Sequence, residues 1–307
     1  MKKKWCAVVA AAALTLGPLA ACSDQGVGAT PADAAGQQVE QPFAIFRGAS
    51  LGAVDYAQLK VLNQCLADKG YPQNLQVMLA APRNPFPQLI VTEKTFGPAS
   101  EEEARRDGFG QDEPAIPPSV VSFDPNYDRA SEQCSEDAWK KLSANAKKVY
   151  YSYFDLGNSL SMPFHLTVNE RMGRARWTKL LSCLADKGYR TNDEDAFYRF
   201  PDPGLFGVPI GAGAEDPAAS WTPKGVPGTV EVGPATPARK YRPSAQESDL
   251  AVAWFRCRRD TGIAKDQMDL VMQVQRGLVA KNESELTELN PQIEQIAKQA
   301  ATLIGQA

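Results

Sequence analysis

Apolar residues recur at helical spacing along most of the chain, interrupted by glycine, proline and short polar runs. Around Cys65, the positions Leu59, Leu62 and Leu66, with Val61, mark a helix face. Residues 131–153 predict a helix through Cys134, with Ala138, Leu142, Ala146 and Val149 along one side. Residues 245–257 and 265–289 are again helical, and Asn290-Pro291 predicts a new start, with Asn as cap and Pro at the first position. The last helix carries Ile293, Ile296, Ala300 and Leu303, which with Leu286 and Leu289 form a heptad-spaced stripe; it could contact a partner helix, but at fewer than three heptads the expectation is packing on its own domain. Ser100-Glu101-Glu102-Glu103 is a capping box opening a short helix that ends near Gly108. Within residues 74–95, Leu89-Ile90-Val91-Thr92 lies between proline-rich turns and predicts one or two short strands. Residues 200–243 hold nine prolines and many glycines, too many for regular structure. This segment reads either as filler or as a binding loop built around Trp221.

One segment occurs twice. Cys65-Leu66-Ala67-Asp68-Lys69-Gly70-Tyr71 reappears unchanged as Cys183-Leu184-Ala185-Asp186-Lys187-Gly188-Tyr189, and Ala57, Leu62 and Asn74 match Ala175, Leu180 and Asn192 at the same offset. Seven contiguous identities imply a duplicated unit. Each heptapeptide reads as a helix terminator. The glycine suits the left-handed position past the helix end, and the leucine and tyrosine stand at the two positions that touch in a Schellman cap. The expected architecture is therefore mainly α with minor short β segments, made of internally duplicated helical units with irregular Pro/Gly-rich inserts. The units are residues 43–165 and residues 166–307, the second holding the loop 200–243 and the C-terminal helices.

The N-terminus sets the compartment. Lys2, Lys3 and Lys4 precede a short apolar run, and Leu19-Ala20-Ala21-Cys22 follows it. Residues 1–21 read as a secretory signal, too short to span a bilayer. The four residues ending at Cys22 resemble the lipobox of bacterial lipoproteins, in which the cysteine is lipidated and becomes the new N-terminus. Residues 22–42 then form a tether rich in Gly, Ala, Gln and Pro, with a coil span of about 25 Å. The expected location is the outer face of the cytoplasmic membrane, with the lipid as anchor. Loss of the three signal lysines takes the net charge from −3 to −6, which argues against nucleic acid and against a polybasic hold on lipid. Cys65, Cys134, Cys183 and Cys257 remain, an even number in an exported chain, which implies disulfides. The duplication favours Cys65 with Cys134 and Cys183 with Cys257, each bridge contributing about 4 kcal/mol. Metal is not expected, since there is no C-x-x-C pair and His165 is the only histidine.

No catalytic motif emerges. There is no G-x-S-x-G elbow, P-loop, dinucleotide fingerprint or EF-hand loop, and no cofactor is implied. The acidic runs Glu101-Glu102-Glu103 and Asp193-Glu194-Asp195 read as a helix N-terminal turn and a solvated loop. Trp139, Trp177 and Trp254 read as core, and Trp221 as the one candidate for a binding loop. The lipobox, the paired Cys-Leu-Ala-Asp-Lys-Gly-Tyr segments and the intervening element at Gly97, Ala104, Gly108 and Gly110 resemble a group of actinobacterial secreted lipoproteins. Phe109 stands where that element has tyrosine. The group has no established activity, so the resemblance implies no catalytic or binding residue; it does imply a setting beside envelope transport systems. The leading expectation is a non-enzymatic, lipid-anchored binding or scaffold protein of the cell envelope with an envelope protein as partner. Next come a solute-binding lipoprotein of an ABC transporter and a carboxylate-dependent envelope hydrolase.

Overall fold

The computed structural model describes residues 40–211 and 221–305. Helix α1, Gly48–Asp68, buries Leu51, Val54 and Ala57 in one cluster and Leu66 in another, while Leu59, read from the pattern as part of the buried face, stands exposed. Its end is the cap that the heptapeptide predicts. Tyr71 N–H donates to the Leu66 carbonyl at 3.0 Å and Gly70 N–H to that of Ala67 at 3.0 Å, with Gly70 at φ 97°. The second heptapeptide does the same, with Tyr189 N–H to Leu184 at 2.9 Å and Gly188 at φ 93°. A residue with a Cβ is strained there, which explains the glycine in both copies.

After α1 the chain runs irregularly to α2, Glu101–Asp107, which opens as expected with the Ser100 hydroxyl accepting from Glu103 N–H. The strands expected in residues 74–95 are absent. Leu89-Ile90-Val91-Thr92 lies between the 3-10 turns Pro87–Leu89 and Glu93–Phe96. Its alternation is real, with Leu89 and Val91 buried and Ile90 65% exposed, but no strand lies beside it. The Gln41 side-chain amide pairs with both the N–H and the carbonyl of Val91 instead.

Strand β1, Val120–Ser122, leads into α3, Pro125–Leu142, and α4, Ala146–Asp186. The single helix expected over 131–153 is thus two. Ser143 is extended, and the corner it makes brings Trp139 and Tyr150 to a ring separation of 5.1 Å. Ala138, Leu142, Ala146 and Val149 are still all buried, so the pattern found the right face and missed the bend. α4 buries Val149, Tyr153, Leu156, Leu160, Phe164, Val168 and Met172 at three- and four-residue steps. Gly173, at φ 69° and ψ 158°, breaks the helix, and the apolar stripe resumes at Trp177, Leu180 and Leu184. The break turns α4 from one apolar cluster to the next.

The short helix α5, Glu194–Arg199, is followed by the long proline-rich segment, which holds more regular structure than its composition suggests. Strand β2, Val230–Val232, pairs antiparallel with β1 in the register Val120↔Val232, Val121↔Glu231, Ser122↔Val230. Bridges at Glu113↔Arg239 and Ile116↔Thr236 extend the ribbon. Composition missed this because the prolines sit between the pairing positions.

Helices α6, Ala245–Asp260, α7, Ile263–Lys281, and α8, Glu283–Gly305, complete the chain. The break falls at Asn282, whose side chain donates to the Leu278 carbonyl at 2.7 Å, and Pro291 lies inside α8. Asn290 does not act as a cap because its amide is used elsewhere. It accepts from the Tyr153 hydroxyl at 2.5 Å and donates to the Ile45 carbonyl at 3.1 Å. Ile293, Ile296 and Ala300 of α8 join Leu51 and Val54 of α1 and Tyr153 and Leu156 of α4 in one cluster. A second cluster forms around Trp177, Phe197, Leu250 and Trp254, and a small third one around Leu66, Tyr127 and Cys134. The fold is mainly helical, with the two disulfides Cys65–Cys134 and Cys183–Cys257 across loops of 69 and 74 residues. Each ties a helix ending in the heptapeptide to a later helix, with Cα atoms 5.7 Å apart.

Candidate functional site

Of the residues singled out in the sequence, Cys22 lies outside the described residues, as do the signal and most of the tether. Trp221 is half-buried and packs against Gly233, where a Cβ would come within 2.9 Å of its ring. Residues 212–220, the part of the loop before it, are outside the described residues. Trp139, Trp177 and Trp254 are buried, the first in a different cluster from the other two.

The most elaborate polar arrangement lies where the two irregular inserts meet α6, around Glu247. Ser244 caps α6 by accepting from Glu247 N–H at 3.0 Å. In a full capping box the Glu247 carboxylate would turn back to the cap. It turns inward instead, and the residue is 0% exposed. One oxygen accepts from Phe109 N–H at 2.8 Å and the other from Gly211 N–H at 2.6 Å, while the Tyr241 hydroxyl lies 2.9 Å from both. Burial, reinforced by the carboxylate beside it, pushes the Tyr241 phenol up to about 12. Close packing demands the flanking glycines. A Cβ on Gly108 would sit 2.4 Å from Glu247 Oε1, and one on Gly110 would sit 2.2 Å from Tyr241 Cε1.

The rest of the Gly97–Gly110 element packs along the same helix. Ala104 is fully buried, and Gly97 lies against the Trp254 indole. Glu101 receives Arg256 through two bonds of 2.8 Å, and this pairing holds its carboxyl down at about 2. Sequence reasoning missed Glu247 and Tyr241, although Ser244-Ala245-Gln246-Glu247 is itself a capping-box signature. Each carboxylate oxygen accepts a backbone N–H from a different insert and the two share the Tyr241 hydroxyl, so the chemistry of the cluster is that of a post joining two inserts.

One turn beyond Trp254, Arg258 is only 3% exposed. Its Nε donates to Gln267 at 3.1 Å, and its Nη2 has no partner among the described residues. Burial lowers its pKa to about 10, partly opposed by the field of Glu93.

The α3–α4 corner is open to solvent. A shallow depression of about 380 Å³ is lined by Trp139, Tyr151, Ser143, Lys140, Lys147, Lys148 and Glu136. Lys147 pairs with Glu136 at 2.5 Å, and Tyr151 is 52% exposed. His165 packs edge-on against Phe164 at 4.9 Å, and the lost hydration lowers its pKa. Among the described residues there is no group of three or more His, Cys, Asp or Glu side chains able to hold a metal ion, and no helix long and apolar enough to cross a membrane. Comparison with family models, with curated proteins and with solved structures finds no match.

Proposed function

We propose that the protein is a lipid-anchored, extracytoplasmic binding or scaffold component of the bacterial cell envelope, held to the outer face of the cytoplasmic membrane through Cys22. The observation that carries this reading is the combination of Leu19-Ala20-Ala21-Cys22 behind a basic, apolar leader with a folded body braced by two disulfides. Cystines that close loops of this length suit an oxidising compartment, and a short leader ending in cysteine suits diacyl anchoring. A binding role is favoured because the best-organised buried carboxylate, Glu247, is used to fasten the inserts together. A solute-binding protein of the two-lobed kind is built on parallel α/β sheets, to which this helical body offers less support.

Metabolic labelling with a radioactive fatty acid tests the anchor. The wild-type chain takes up label and stays with the membrane fraction, and Cys22→Ala does neither; label that persists in Cys22→Ala would overturn the anchoring site. Cross-linking of the anchored protein in its native membranes then tests the scaffold role. It is expected to capture one envelope protein reproducibly, and only with the anchored form. Capture of no specific partner would remove the scaffold reading.

A further inference from the structure

The middle of α4 presents a surface that the packing does not explain. Residues 156–169 contain no Asp, Glu, Lys or Arg, although they belong to a helix with one face in water. On that face Met162 is 74% exposed and Leu166, one turn later, is 64% exposed. Phe200, 72% exposed, directly follows Arg199, whose carbonyl accepts from the Asn169 amide on the next turn of α4. Three large apolar side chains therefore stand in water on one stretch of the surface, which is unusual for a chain with no need to cover them.

The described chain begins at the same level of α4, on the buried side of that helix. Phe43, near its first residue, packs its ring 5.5 Å from that of Phe164. Phe164 lies between Met162 and Leu166 in sequence, so the root of the N-terminal segment is level with the apolar stripe and about one helix diameter (~10 Å) across α4 from it. Residues 23–39 separate that root from Cys22 and reach at most about 60 Å when fully extended. A bilayer holding lipidated Cys22 is thus within easy reach of the stripe. The charges at its margins are mixed, with Asp155 and Glu170 against Arg171 and Arg199, so contact there depends on apolar burial and not on anionic lipid.

We infer that Met162, Leu166 and Phe200 form a membrane-contacting face that lays α4 on the bilayer beside the lipid anchor. This inference rests on the anchoring reading above.

The test uses the full chain, purified from native membranes with its disulfides intact and reconstituted in phosphatidylcholine vesicles with and without one-third phosphatidylglycerol. A polarity-sensitive dye is placed at Met162→Cys, at Leu166→Cys and, as reference, at Lys224→Cys in the loop before β2. The expected result is a blue shift and quenching by brominated lipid at 162 and 166, equal in both vesicle types and insensitive to salt, with the dye at 224 unchanged. An anchored protein whose dyes at 162 and 166 behave like that at 224 would overturn the face and leave the anchor standing. A concentration-dependent shift without vesicles would overturn it in favour of a second copy of the chain. A protein that fails to stay with the vesicles at all would overturn the anchoring reading and the face with it. Agreement between the 162 and 166 variants guards against a local folding defect in either one.

Discussion

Glu247→Gln tests the post at the insert junction with little change of shape. The wild-type carboxylate accepts from Phe109 N–H, Gly211 N–H and the Tyr241 hydroxyl in a fully buried site. Glutamine keeps one carbonyl oxygen but turns an NH₂ group toward one of the two backbone donors. A charge-assisted bond worth about 1.5–3 kcal/mol is lost, and a buried N–H left facing another donor costs about 1–3 kcal/mol. Relief of a buried negative charge offsets part of this, so the net loss is about 2–4 kcal/mol. For a body of this size that corresponds to a fall in Tm of about 4–8 °C, at about 2 °C per kcal/mol. Calorimetry gives the shift, and amide hydrogen exchange locates it, with the largest loss of protection expected at Phe109 and Gly211. Tyr241→Phe alone costs about 1 kcal/mol, and the double variant loses less than the sum of the two because they share one bond. A Glu247→Gln protein melting within a degree of wild type, with both amides still protected, would refute the assignment of the cluster as a post.

Replacing Cys65 and Cys134, or Cys183 and Cys257, by alanine pairs should cost about 4 kcal/mol each, since the two loops are nearly equal in length; a chemical denaturation series in which either pair is neutral would contradict this. Gly70→Ala and Gly188→Ala each force a Cβ into a left-handed cap with open space around it, at about 1–2 kcal/mol apiece, and clearly unequal costs would show that the two caps are held differently. At high pH, Tyr153 and Tyr241 are held up to about 12, above the ordinary value near 10, mainly by burial. The stability they supply is complete below about pH 10 and is lost as pH rises toward 12. Tyrosinate absorbance should therefore appear together with loss of helical signal, and ionisation of all tyrosines without unfolding would contradict it. At the acid end, the Arg256 pairing keeps Glu101 near 2, so its contribution is present above the ordinary carboxyl range and fades as pH falls through about 2; Glu101→Gln should flatten that part of the pH–stability curve.

Local rules made much of this fold legible. The caps at Gly70 and Gly188, the start of α2 at Ser100 and the buried sides of α3 and α8 follow from short-range pattern, because each depends on neighbours within a turn or two. Long-range partners decided what was missed. Val91 has strand character but meets the Gln41 amide where a strand would be, and Asn290 was drawn from capping into a bond with Tyr153. The β1–β2 ribbon joins positions more than a hundred residues apart, which neither segment reveals alone. At the site the same limit applied. The glycines at 108 and 110 stood out in the sequence, but the side chains they make room for, Glu247 and Tyr241, lie far along the chain.

The return of α8 to α1 bears on how the protein is made. Leu51 and Val54, among the earliest core residues to emerge from the ribosome, finish their packing only against Ile293, Ile296 and Ala300, among the last. A chain ordered this way cannot complete its principal core until α8 has been made. For the exported, anchored protein proposed above, delayed folding would be an advantage, since such a chain is threaded across the membrane unfolded. It also makes the C-terminus a checkpoint: a truncation that removes α8 would leave the first helix bare and give quality-control proteases an open substrate.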